Sequence, residues 1–325
     1  MRLIRRQFLH LAAGALGLPL APRIALAQAY PSRPVRMVVG FPMGGPVDIA
    51  ARVISPWLSE RFGQSFVVEN QPGESGNIAT REVVNAPPDG YTLLLCGPVN
   101  TINTTLFENL DFNFTRDIAP VANLYRVPLV VEVNPSVPLR SVPEFLAYAK
   151  ANPGKLKVAY AGNGTPQHVG IELFKMMAGV DLTLVPYLGS APALADLLGG
   201  QVQAMFDPMP SSIAYIRSGK LIPLAVTTPA RSQALPDVPA MSDFVPGYEA
   251  GSWFGIGAPS NTSADIIDML NREVNAGLAA PAIRARITEL GGTTMPGSPA
   301  NFRSFIAAET EKHEKIIRTA SLKAR

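Results

Sequence analysis

The chain has 325 residues, of which 28 are basic, 25 acidic and 47% hydrophobic. Four of the basic residues (Arg2, Arg5, Arg6, Arg23) fall in the first 27 positions, so the other 298 residues hold 24 basic against 25 acidic side chains, a net charge of −1. That balance argues against a nucleic-acid or anionic-membrane surface, and the lone Cys96 excludes an internal disulfide.

The first 27 residues read as a secretory signal peptide. A basic start is followed by an apolar run from Phe8 to Leu20 and by the small-residue cleavage pattern Ala25-Leu-Ala27. The run is too short to span a membrane. Arg5-Arg6-Gln-Phe-Leu9 resembles a twin-arginine signal, with the general secretory route as the alternative.

The next elements alternate. A β-like run over 35–39 leads into Phe41-Pro-Met-Gly-Gly-Pro-Val-Asp48, and Ile49, Val53, Ile54, Leu58 and Phe62 then make one helical face closed by Gly63, with Pro56 at a kink. Strands are predicted at 66–69, 92–96, 129–133, 157–160, 183–186, 204–206, 224–226 and 254–256. Cys96 ends the apolar stretch Tyr91-Thr-Leu-Leu-Leu-Cys96 and reads as a buried structural thiol. Asn77, Asn100 and Thr101 lie in polar loops after strands, either as cleft donors or as solvated loop residues.

A second loop, Ala161-Gly-Asn-Gly-Thr-Pro-Gln-His168, repeats the strand–glycine–helix pattern. Thr165 caps the helix, Pro166 takes its first position and Gly179 follows its end. Two further helices start near Ala264 and at Ser298-Pro299. Strands alternating with helices predict an α/β fold with mostly parallel sheets. Proline-rich stretches over 134–138 and 228–246 mark crossings, which divides the chain into domain 1 (28–129 plus 248–325) and domain 2 (130–247).

Both glycine loops aim helix N-termini, with their unpaired N–H groups and partial positive charge, at one spot. A carboxylate or phosphate suits such a spot, so Phe41, Gly44, Gly45, Val47 and Asp48 pair with Gly162, Gly164, Thr165 and His168 as candidate cleft residues. Asp48 reads either as a helix cap or as a ligand contact. His168 reads as a structural residue or as a charge-tunable donor. Asp207 sits at a strand end, where α/β proteins bind ligands, and suits a hydroxyl or ammonium or a purely structural role.

Enzyme chemistry finds little footing. Beyond the leader only His168 and His313 remain, no Gly-x-Ser-x-Gly elbow occurs, and no Cys/His cluster has metal-ligand spacing. The best rival is a dinucleotide fold at Gly162-Asn-Gly164, but Gln167 occupies the third glycine position. The expectation is no catalysis, no cofactor and no metal. A periplasmic enzyme, a dinucleotide-dependent oxidoreductase and a sensory or scaffold protein using the same cleft are the alternatives.

An ordered set of segments resembles the substrate-binding proteins of tripartite tricarboxylate transporters, the Bug receptors. It runs through Val67-Val-Glu-Asn70, Gly76-Asn77-Ile78, Pro88-Asp-Gly-Tyr-Thr92, Gly162-Asn-Gly-Thr-Pro-Gln-His168 and Val185-Pro-Tyr187, then Leu197-Leu-Gly-Gly-Gln-Val202, Phe206-Asp207, Leu235-Pro-Asp-Val-Pro239 and Ser252-Trp-Phe254. The resemblance implies a periplasmic two-domain binding protein of the Venus-flytrap kind, each domain a mostly parallel sheet flanked by helices. It also implies a small carboxylate ligand in the interdomain cleft and a membrane permease as partner; the protein itself is expected to be a monomer.

By position the resemblance marks Gly44, Gly45, Asp48, Gly162, Gly164, Thr165 and His168, and also Tyr187, Ser190 and Asp207. The chain departs from the pattern at Pro46-Val47, where Gly-Thr is usual, at Glu74-Ser75 and at Leu188. Losing a backbone donor and a hydroxyl there predicts a more apolar cleft, suited to an aromatic or alkyl carboxylate.

Overall fold

Glycine and proline set most of the element boundaries. The computed structural model describes residues 30–323; the signal peptide predicted for 1–27 lies outside the described residues. The first set of elements is β1 (Val35–Val39), α1 (Pro46–Phe62), β2 (Phe66–Asn70), α2 (Asn77–Val84), β3 (Thr92–Cys96), α3 (Pro98–Leu106) and the single turn α4 (Phe114–Asp117). A long strand, β4 (Ile118–Val133), leads to α5 (Val142–Ala151), β5 (Lys157–Tyr160), α6 (Pro166–Ala178), β6 (Thr183–Pro186) and α7 (Ser190–Leu198). β7 (Ala204–Pro208), α8 (Met209–Arg217) and β8 (Ile222–Val226) follow. The chain returns through β9 (Gly251–Pro259), α9 (Ala264–Ala279), α10 (Pro281–Glu289), β10 (Thr293–Thr294) and α11 (Pro299–Thr319).

Helix ends follow their predicted signals. In α1, Gly45 is the N-cap, Pro46 takes the first position, and Gly63 closes the helix in the left-handed region; the helix runs through Pro56. In α6 the Thr165 hydroxyl accepts the His168 N–H, and Gly179 closes the other end at φ 62°.

The strands form one sheet in the order β2-β1-β3-β9-β4-β7-β5-β6, with β8 and β10 both pairing β4. Its outer ladders are parallel: β1 with β2 and β3, and β5 with β6 and β7. The middle is antiparallel, because β4 and β9 carry the chain between the two ends. The α/β class holds, with pairing more mixed than the sequence indicates. β4 is also far longer than the predicted 129–133: Pro120, Asn123, Arg126 and Pro128 interrupt the apolar pattern of its first part. Its partner changes from β9 at Pro128 to β7 at Leu129.

Apolar clusters hold the sheet. Val38, Leu94, Cys96, Trp253, Phe302 and Ile306 pack α11 onto the β1–β3–β9 part. Phe145, Phe174, Phe206 and Tyr248 fill one face of the β4–β7–β5 part, and Leu197, Met205 and Ile213 fill the other. Ile49 and Val53 of α1 rest against this last cluster, so the first helix is braced by the far half of the sheet.

Candidate functional site

Parallel strand–helix units place strand C-ends and helix N-ends along one edge. Five helix starts consequently meet at a single cavity of about 30 Å3. Pro46 and Val47 come from α1, Gly97, Pro98 and Val99 from the start of α3, and Thr165, Pro166 and Gln167 from α6. Ser190 opens α7 and Pro208 precedes α8; Phe41, Ala161, Ser252 and Phe254 complete the wall. No lining side chain is charged.

Three of these starts share a construction. Proline at the first helical position has no N–H, so the first main-chain donor is the next residue: Val47, Val99 or Gln167. Among the described residues these three N–H groups have no hydrogen-bond partner, and neither does that of Ser190. Helix geometry directs such groups along the axis toward the N-terminus, where the macrodipole adds partial positive charge. An uncharged cavity ringed by them favours a negatively charged or strongly accepting group.

The predicted residues divide between lining and support. Phe41, Val47, Thr165 and Ser190 line the cavity. Gly44 and Gly45 shape the turn above it. Asp48 is not the cap of α1, a role held by Gly45. Its carboxylate instead reaches back to the Gly44 N–H (3.0 Å) and is held by Asn70 Nδ2 (3.0 Å) and Arg52 Nε (2.9 Å). Burial pushes this carboxyl up, but Arg52, Gly44 and Asn70 together keep it below the usual range.

Asn77 and Asn100 are buried, make hydrogen bonds within the fold, and are not among the residues lining the cavity. Asn77 Oδ1 accepts from Asn103 Nδ2 (2.8 Å). Asn100 accepts from the Gly97 N–H (2.9 Å) and donates to Thr80 Oγ1 (2.9 Å). The Thr101 hydroxyl lies 2.8 Å from the Pro98 carbonyl and 2.9 Å from His313 Nδ1. His168 stacks on Tyr160 and accepts the Gly164 N–H at Nδ1 (3.4 Å), and Tyr187 donates its hydroxyl to Asp196 (2.7 Å).

Glycines of the second loop, and Gly189 ahead of α7, let the two halves of the molecule meet closely. Gly164 has φ 74°, and a Cβ there would collide with Asn103 Oδ1; at Gly189, with φ 110°, it would stand 2.7 Å from Pro42 Cδ. Gly162, at φ 111°, faces Ser75.

Asp207 is fully buried and saturated with donors. Oδ1 accepts from Ser190 Oγ (2.5 Å) and Gln167 Nε2 (3.2 Å); Oδ2 accepts from Ser211 Oγ and from Ser212 Oγ (3.0 Å). Ser212 Oγ also lies 2.6 Å from Oε1 of Glu132, another fully buried carboxyl whose Oε2 has no partner. Burial and the neighbouring Asp207 push the Glu132 carboxyl well above its ordinary range.

Gln167, Gly97, Pro98, Val99, Ser252, Phe254 and Pro208 were not foreseen as lining residues. A signal existed for two of them: Gly97-Pro98 after a strand repeats the Gly45-Pro46 pattern. A second, larger groove of about 610 Å3 shares Pro166 and Ser252 with the cavity and exposes Arg126, Arg231 and Arg284. Pro166 is the only helix-start residue among its lining, so the convergence of N–H donors is a property of the smaller cavity. Cys96 is buried, with its thiol pushed up to about 12 by desolvation, which suits the structural role.

Comparison with known proteins identifies the family. Residues 50–322 match the model of the tripartite tricarboxylate transporter family receptor. Protein BugT of Bordetella pertussis is 36% identical over 301 residues, covering 91% of this chain and 92% of BugT. Among solved structures, R. palustris Rpa4515 with adipate is 39% identical with a TM-score of 0.88, covering 90% of this chain and 99% of that one. MatC (Rpa3494) from Rhodopseudomonas palustris with bound malate is 31% identical with a TM-score of 0.84, covering 89% and 100%. With helix starts gathered on one cavity and a match along nearly the whole described chain, the protein belongs to the receptor family of the tripartite tricarboxylate transporters.

Proposed function

We propose that this protein is an exported, periplasmic solute receptor that binds a small organic carboxylate with an apolar chain and hands it to a membrane permease, with no catalysis of its own. The observation that carries this reading is the set of unbonded main-chain N–H groups of Val47, Val99, Gln167 and Ser190 around one uncharged cavity. Once water is excluded, such neutral donors bind a carboxylate strongly without an arginine. Phe41, Pro46, Pro98 and Phe254 supply an apolar bed for the rest of the molecule. The adipate in Rpa4515 and the malate in MatC are in keeping with a ligand of this size.

A cavity of about 30 Å3 has the volume of roughly one water molecule. Ligand entry therefore requires the walls to part. We assign that motion to two domains, 28–129 plus 248–325 and 130–247, swinging about the strands that cross between them near Pro128 and Gly251. The acid bridges both sets of donors and stabilises the closed form by its differential affinity.

The test is a thermal-shift and calorimetric screen of the protein lacking residues 1–27 against adipate, benzoate, succinate, citrate, glucose and NAD(H). A bound acid at a hundred times its Kd should stabilise by about 2.7 kcal/mol. Stabilisation by adipate or benzoate, with citrate weaker, is the expected result. A response to NAD(H) alone, or to no acid, overturns the reading.

A further inference from the structure

Gln167 lines the cavity, and the orientation of its side-chain amide is dictated by its hydrogen bonds. Nε2 lies 3.0 Å from Ser190 Oγ and 3.2 Å from Asp207 Oδ1. An amide has one donating and one accepting end, and only the network around it decides which way it faces. Here the network leaves no choice. Burial pushes the Asp207 carboxyl up, but three serine hydroxyls and this amide donate to it and oppose that push, which favours the ionised form over the neighbouring Glu132. Ser190, 2.5 Å from Asp207, gives its only hydrogen to that carboxylate and offers Gln167 a lone pair. Turning the amide over would set its carbonyl oxygen against Asp207 Oδ1.

Both hydrogens of Nε2 are therefore engaged on the protein side. Oε1 has no partner among the described residues, so it is the one side-chain acceptor that Gln167 has left to offer a ligand. Ser190 likewise has no hydroxyl hydrogen to offer.

We infer that Gln167 is a specificity-determining residue, locked by Asp207 as a hydrogen-bond acceptor, and that among acids with an otherwise apolar chain the receptor selects those carrying one hydroxyl group. This deepens the carboxylate-receptor reading and rests on it. The cavity thus has two chemistries: main-chain N–H groups for the carboxylate and one fixed carbonyl oxygen for a donor. A hydroxyl satisfies that oxygen, whereas an alkyl chain would bury it unpaired, at a cost in affinity. An ammonium is the poorer match, because the surrounding helix starts carry partial positive charge. Asp207 itself touches no ligand; it is a positioning residue acting through Gln167.

The experiment compares matched acids by calorimetry on the protein lacking residues 1–27: glutarate with 2-hydroxyglutarate, and adipate with 2- and 3-hydroxyadipate. The wild-type protein should bind one hydroxylated member of a pair about tenfold tighter than its parent, the size of one net neutral hydrogen bond. In Gln167→Met, which keeps the chain length and loses both amide ends, the affinity ratio between the hydroxylated acid and its parent should fall to about one. Asp207→Asn, which lets the amide turn over, should shrink the preference likewise and serves where the first variant does not fold. Equal or weaker binding of every hydroxylated acid by the wild type overturns the inference, as does a preference that survives in both variants. If no acid in the set binds at all, the carboxylate-receptor reading fails, and this inference with it.

Discussion

Glu132 and Asp207 are joined through one hydroxyl: Ser212 Oγ stands 2.6 Å from Glu132 Oε1 and 3.0 Å from Asp207 Oδ2. A hydroxyl has a single hydrogen, so two ionised carboxylates cannot both be served by it. The pair holds a proton. It resides on Glu132, which has this one neighbour, whereas Asp207 has four donors to stabilise its charge. A buried proton thus sits one serine behind the carboxylate that orients Gln167.

That proton makes stability depend on pH with a definite sign. Folded Glu132 keeps its proton well above 4.5, its ordinary value, while the unfolded chain releases it there. Unfolding therefore sheds a proton, and stability falls as pH rises through this window, by up to about 1.4 kcal/mol per pH unit. Urea denaturation from pH 5 to 9 should show this fall in the wild type and a flatter profile in Glu132→Gln. Parallel profiles would contradict the assignment.

His313 should act at the acid end. It lies on the buried face of α11, bonded to Thr101, and burial holds its imidazole down to about 3. The unfolded chain takes up a proton near 6.5 and the folded one does not, so this contribution is lost as pH falls from about 6.5 toward 3. His313→Asn, which keeps a donor toward Thr101, should lessen the loss of stability between pH 6.5 and 4.5. An unchanged acid limb would assign that loss to the carboxylates instead.

Gly164 tests how closely the two halves must meet. Its φ of 74° strains any L side chain by about 1–2 kcal/mol, and a Cβ would press on Asn103. Gly164→Ala should lower adipate affinity by at least tenfold, because the closed form is disfavoured, while the melting temperature of the unliganded protein drops by only a few degrees. Unchanged affinity would show that this contact is not part of closure.

Val47→Asp separates helix stability from anion binding. Aspartate in the first turn of α1 complements the macrodipole and should leave the melting temperature unchanged or raised. The same charge occupies the space meant for the ligand carboxylate, so acid binding should fall by more than a hundredfold. Retained binding would place the carboxylate elsewhere.

Much of the fold was legible because its punctuation is local. Thr165-Pro166 and Gly179, or Pro46 and Gly63, carry their boundaries in their own chemistry. β4 was under-read because its first part is held by pairing with β9, a long-range partnership that tolerates Pro120 and Arg126 and leaves little periodicity. At the site, Phe41, Val47, Thr165 and Ser190 reach the cavity. Asn77, Asn100 and Asp48 stand behind it, since buried turns need their own partners and these side chains supply them. Gln167 was seen only as a residue too large for a dinucleotide loop; its role depends on Asp207, forty positions away, which no local pattern reveals.

The most direct measurement is an amide NMR titration of the isotopically labelled protein with adipate. The amide protons of Val47, Val99, Gln167 and Ser190 should move downfield together and saturate at one equivalent, as unbonded N–H groups acquire a carboxylate acceptor. If those four stay in place while the side-chain signals of Arg126 or Arg284 move instead, the acid is held by cationic side chains in the larger groove and not by the main chain.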